Sequence, residues 1–180
     1  MRYLYFFLFV VLVSCNEGSE DIYRTTSGEY ASKKAGFEAK FPGEPSLSVI
    51  ENKLGYEKFD ILLYSLTLGS YKIYRVEYLD YPESLIKNKT SEELLNEGFE
   101  NLKNRISDDF DLDFQEPVVI GEHKGIYFVF TPKEEVPALF LGKIFVKNKK
   151  HYTVSYLGKT DGNVDAFMKS FRFLNQNSGN

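Results

Sequence analysis

Cysteine occurs once, histidine twice and tryptophan not at all in this 180-residue chain. One cysteine excludes an internal disulfide framework and a multi-thiolate zinc site. Two histidines leave little material for a His-rich metal centre. Basic charge is also short, with 22 Lys and Arg against 26 Asp and Glu and a net charge of −4. Nucleic-acid partners need clustered Lys and Arg to meet phosphates, so none is expected. The catalytic and nucleotide-binding signatures G-x-S-x-G, H-E-x-x-H, G-x-G-x-x-G and the Walker A loop are all missing. No cofactor and no metal is expected. Apolar residues, in contrast, make up 43% of the chain, with 16 Phe and 13 Tyr. That is ample for a folded core and argues against disorder.

The longest apolar run is Tyr3 to Val13, preceded by Arg2. Eleven helical residues rise about 16 Å, against a hydrocarbon core of about 30 Å. The run is therefore too short for an ordinary transmembrane helix and has the layout of a secretory signal. Its end, Leu12-Val13-Ser14-Cys15, resembles the lipobox of bacterial lipoproteins: an aliphatic residue, a tolerant position, a small residue, then Cys. The resemblance implies recognition by a signal peptidase at Leu12, Val13 and Ser14, removal of residues 1–14, and lipid attachment at Cys15. Two or more acyl chains hold a protein stably on a membrane, where one does so only marginally. The implied location is the bacterial cell envelope, at the outer membrane, facing the periplasm or the surface.

Residues 15–36 read as the lipidated Cys and a flexible tether, polar and rich in Gly, Ser and Thr. Its acidic cluster Glu17, Glu20 and Asp21 reads as a solvated spacer. Residues 37–174 read as one α+β domain, and residues 175–180 as a polar tail. Phe37 to Phe41 alternates as a half-buried strand does. Leu47 to Leu54, Phe59 to Leu68 and Tyr71 to Tyr78 continue the sheet, the last two joined by a Gly69-Ser70 hairpin turn. Thr90 and Glu93 form a capping box ahead of a helix carrying Leu94, Leu95, Phe99, Leu102 and Ile106 on one face. Gly98 shares that face and permits close approach.

Strands resume with Phe110, Leu112 and Phe114, then Val118 to Ile120, and Ile126 to Thr131; Ile126 to Phe130 is apolar at every position and reads as a central strand covered on both faces. Leu139 to Val146 and Tyr152 to Leu157 flank the turn Lys147 to Lys150. A closing helix places Val164, Phe167, Met168 and Phe171 together. The predicted architecture is a largely antiparallel sheet covered by helices on both faces.

Three segments carry a family resemblance: Phe37-Glu38-Ala39-Lys40-Phe41-Pro42-Gly43, the strand ending Tyr78-Leu79-Asp80-Tyr81-Pro82, and the helix Val164 to Phe173. Together they resemble the PsbP/Mog1-like superfamily over Phe37 to Leu174. The resemblance implies an α/β/α sandwich. Family roles range over scaffold, partner-binding protein and chaperone, so no activity follows from it.

Tyr71, Tyr74, Tyr78, Tyr152 and Tyr156 are candidates for a binding face, because a tyrosine joins an apolar ring to a polar tip; core packing accounts for them equally well. Asp109, Asp111 and Asp113 invite a calcium reading, but the EF-hand positions for Gly and Glu hold Phe114 and Ile120. These acids read as the wet side of a strand. His123 and His151 read as exposed, and Lys147, Lys149 and Lys150 as a solvated hairpin tip. The expected role is a non-enzymatic envelope module that binds or chaperones another envelope protein. The alternatives are a hydrolase with a dispersed site and a purely structural component.

Overall fold

A computed structural model describes residues 21–54 and 56–174. The apolar run, Leu12, Val13, Ser14, Cys15 and the tail Asn175 to Asn180 lie outside the described residues.

The described residues open with three short strands, β1 (Ile22–Arg24), β2 (Tyr30–Ser32) and β3 (Phe37–Ala39). An antiparallel meander follows: β4 (Ser46–Leu54), β5 (Glu57–Leu68) and β6 (Lys72–Asp80). Two helices, α1 (Glu83–Ile86) and α2 (Ser91–Ile106), cross to a second meander of β7 (Phe110–Ile120), β8 (His123–Pro132), β9 (Leu139–Lys147) and β10 (Lys150–Gly158). Helix α3 (Gly162–Ser170) leads to the two-residue strand β11 (Arg172–Phe173).

The meanders join where β10 pairs with β6, giving a seven-stranded sheet in the order β4-β5-β6-β10-β9-β8-β7. A second, four-stranded sheet runs β1-β2-β3-β11. All these pairings are antiparallel.

Local chemistry explains the elements. The capping box of α2 is formed, with the Thr90 hydroxyl accepting from the Glu93 amide at 3.2 Å and the Glu93 carboxylate accepting from the Thr90 amide at 2.7 Å. Asn148 and Lys149 both have positive φ, as a two-residue hairpin turn requires. Asp161 caps α3 through the Asn163 amide and is held to β6 by an ion pair with Lys72.

Strand alternation divides the core into two clusters on opposite faces of the large sheet. On one face α1 and α2 bury Ile86, Leu94, Leu95, Phe99 and Leu102 against Phe128, Phe130, Ile144 and Val146. On the other, β3 and α3 bury Phe37, Phe41, Phe167 and Phe171 against Tyr64, Tyr74, Phe145 and Tyr156. Cover there is thus shared by the small sheet and one nine-residue helix, where helices were expected. The hairpin geometry also corrects the expectation for Ile126 to Phe130. Strand β8 lies next to the edge strand β7, and Ile126, Tyr127 and Val129 stay half-buried.

The tether expected over residues 15–36 gives way to structure from Asp21 onward. Ala31 and Ser32 are buried in β2, and Ala35 is buried beyond it. The cause is a polar clamp. The Asp21 carboxylate accepts from the Tyr64 hydroxyl at 2.6 Å, the Ser32 hydroxyl at 2.8 Å and the Lys34 amide at 2.7 Å. Tyr64 is held well above its ordinary pKa by burial and by this bond to Asp21, and so stays a donor.

Candidate functional site

Four of the five candidate tyrosines belong to the core. Tyr74 and Tyr78 on β6 stand directly opposite Tyr156 and Tyr152 on β10, with ring centres 4.8 and 5.2 Å apart. All four point to the face covered by the small sheet and α3, where the Phe167 ring meets Tyr74 edge-on. The Tyr152 hydroxyl donates to the Ala35 carbonyl at 2.8 Å. Only Tyr71, in the β5–β6 turn, is exposed. A binding face made of these five residues is therefore ruled out: even-numbered positions of both strands face inward.

The opposite face of the same strands is the one with unusual chemistry. Helix α2 leaves β6 and runs over β10, β9 and β8 to reach β7, so it covers the second meander only. Leu79 on β6 is buried on this face, but the other apolar residues pointing the same way from the first meander, and Leu157 at the end of β10, lie outside that cover. Ile50, Phe59, Ile61, Leu63, Ile73 and Leu157 are half-buried and belong to neither core cluster.

A polar row crosses this face. Ser65 on β5, Arg75 on β6 and Ser155 on β10 are direct partners in register. The next row holds Leu63, Glu77 and Thr153. The Arg75 Nε donates to the Ser65 hydroxyl at 3.3 Å, and among the described residues no carboxylate lies within ion-pair distance of its guanidinium. Burial lowers its pKa, Glu77 raises it, and Arg105 from α2 lowers it further.

One row on, His151 is buried under α2, contrary to the exposed position expected from the sequence. Its Nε2 lacks a hydrogen-bond partner and faces Gly98, whose missing side chain makes room for the ring. Burial first and Arg105 second push its pKa down to about 4, so it is neutral near pH 7.

The remaining candidates are placed plainly. Asp111 pairs loosely with Lys133 at 3.8 Å. A bulge at Asp113 shifts the β7 register, so Leu112 pairs with Phe130 and Phe114 with Val129, on opposite faces. The strand is an exposed edge on both sides, and the expected split into acidic and apolar faces does not hold. Among the described residues no group of three His, Cys, Asp or Glu is arranged to hold a metal. His123 is half-buried with its ring against Phe173 at 5.0 Å.

The lysine tip is tied down rather than solvated. Lys147 reaches the Leu174 carbonyl, Lys149 the Ile86 carbonyl, each at 3.3 Å, and Lys150 pairs with Asp80 at 3.0 Å. A cleft of about 590 Å³ opens beside it, lined by Lys34, Phe59, Asp60, Tyr78 and Tyr81, and its other charges, Lys58, Asp80 and Lys150, are already paired.

No family model matches the chain, and no curated protein matches it. Among solved structures, a solution structure of cyanobacterial PsbP from Synechocystis sp. PCC 6803 superposes with a TM-score of 0.50. It covers 90% of this chain and 98% of that one, at 15% identity. The fold is PsbP-like. At that identity the likeness speaks for architecture and carries no role across.

Sequence reasoning missed Arg75, Arg105, Thr153 and Ser155, and it placed His151 in solvent where the fold buries it. Two signals were present. On β10 the polar residues His151, Thr153 and Ser155 alternate with Tyr152, Val154 and Tyr156, and on β6 Arg75 and Glu77 alternate with Tyr74, Val76 and Tyr78. Such alternation says that two faces differ; it does not say that the polar face is half under a helix.

Proposed function

We propose that this PsbP-like chain is a lipid-anchored bacterial envelope module that binds another envelope protein and has no enzymatic activity of its own. The observation that carries the reading is the uncovered half of the large sheet. A sheet face with apolar residues outside both cores is completed by burial against a further layer. The anchor rests on the sequence: the lipobox Leu12-Val13-Ser14-Cys15 follows a short apolar run. The Asp21 clamp supports the same reading, since Asp21 stands six positions after Cys15. A fully extended chain covers roughly 20 Å over that span, so a lipid on Cys15 would hold the domain against the outer membrane, on its periplasmic or surface side.

Two measurements test the halves of the proposal. Membrane fractionation of Cys15→Ala should move the protein from pellet to supernatant; retention in the pellet removes the anchor. Photo-crosslinking in cells from Leu63, in the uncovered face, should give one discrete protein adduct. Lipid adducts alone, or none, remove the binding role.

A further inference from the structure

We propose that the occupant of the uncovered sheet face is an amphipathic helix of a partner protein whose apolar stripe carries one carboxylate, received by Arg75. This rests on the protein-binding reading above and names the chemistry of the partner.

The geometry points to a helix. Helix α2 already provides the covering layer over β8, β9 and β10, and the strip over β4, β5 and β6 beside it is the part of that face left open. Ile50, Ile61, Leu63 and Ile73 form its apolar floor, with Leu157 beyond them on β10. A sheet's apolar face is normally closed by a packed second layer.

Charge chooses the helix. Arg75 stands amid the floor, not at its rim, between Ser65 and Ser155. One nitrogen is used by Ser65; the other two have no acceptor among the described residues. Arg105 approaches from α2 and also lacks an ion pair among the described residues. Glu77 is the one carboxylate acting on Arg75, and it stands beyond 4.0 Å. Two guanidinium groups against one distant carboxylate, in a chain of net charge −4, leave a local positive excess. A guanidinium takes a carboxylate through two parallel hydrogen bonds, which fixes direction as well as strength. Unpaired arginine within an apolar patch is also the residue type on which interface energy concentrates.

The test uses the full chain and two labelled synthetic amphipathic helices, identical except for Glu or Gln in the middle of the apolar stripe. Fluorescence anisotropy should show the Glu peptide binding about tenfold or more tightly, as a charge-assisted bond implies. Arg75→Gln should abolish the preference, Arg75→Lys should keep part of it, and Arg24→Gln, on the far small sheet, should leave it intact. Thermal melts of each variant confirm folding. Equal binding of the two peptides, binding of neither, or a preference that survives Arg75→Gln overturns the proposal. So does a concentration-dependent dimer that disappears in Glu77→Gln, because the occupant is then a second copy. The two readings fail separately. A crosslinked adduct at Leu63 that persists without any Glu preference keeps the partner and removes the carboxylate; loss of the adduct removes the partner itself.

Discussion

His151 couples stability to pH through one buried ring. Its folded pKa, about 4, lies below the ordinary value of 6.5. Between those values the unfolded chain takes a proton that the folded chain refuses, so the stabilisation is complete above about pH 6.5 and is lost as pH falls towards 4. The shift corresponds to roughly 3 kcal/mol. Urea midpoints measured from pH 7 to pH 4 should fall steeply, and His151→Gln should flatten that slope. An unchanged slope would mean the ring is hydrated. Asp21 is the other residue whose loss should be felt. Asp21→Ala removes a shared acceptor and leaves the hydroxyls of Tyr64 and Ser32, 2.8 Å apart, with only each other, so that one buried O–H loses its acceptor, for a cost of about 1–3 kcal/mol. Hydrogen exchange in β1 and β2 should rise first, with the seven-stranded sheet still protected.

Gly98 shows how one element depends on another. In an exposed helix Gly→Ala gains about 1 kcal/mol. Here the added methyl would overlap the His151 ring, which is itself enclosed. Gly98→Ala should therefore lower stability by about 1–3 kcal/mol, and the same change in a His151→Ala background should be neutral or stabilising. A double-mutant cycle on denaturant midpoints reads the coupling directly. Local signals explain why α2 was legible in the sequence and its surroundings less so. Thr90, Glu93 and the spaced Leu94, Leu95, Phe99, Leu102 and Ile106 are local signals, and the helix forms over Ser91–Ile106. The bulge at Asp113 is a register event between two strands, with no local signature in Phe110 to Phe114. Tyr30, Ala31 and Ser32 form too short a run to outweigh the polar residues around them; the strand there exists because Asp21 is bonded to Tyr64, 43 positions away.

At the scale of the molecule the two sheets are fastened by aromatic rings. Phe171 stacks on Phe37 of the small sheet at 5.8 Å and on Phe145 of the large one at 6.0 Å. Phe171→Ala should cost about 3–5 kcal/mol and lower the unfolding midpoint of both sheets together. Separate transitions by circular dichroism and tyrosine fluorescence would show that the sheets are independent. The antiparallel strand plan was readable from hairpin turns such as Asn148-Lys149, but the β6–β10 junction that unites the meanders joins Asp80 to Lys150, and no turn encodes it.

That wiring sets a timetable. Strand β3 receives its outer neighbour only from β11, pairing Phe37 with Phe173, and β6 waits for β10 before its second edge is satisfied. Contacts this distant in sequence form late and slowly. A chain threaded through a membrane pore from its N-terminus would carry β3 and β6 across while their partners were still behind, and would remain loose enough to pass. In such a passage closure of the fold would mark the arrival of the last strand, and the order of the strands would act as a delay.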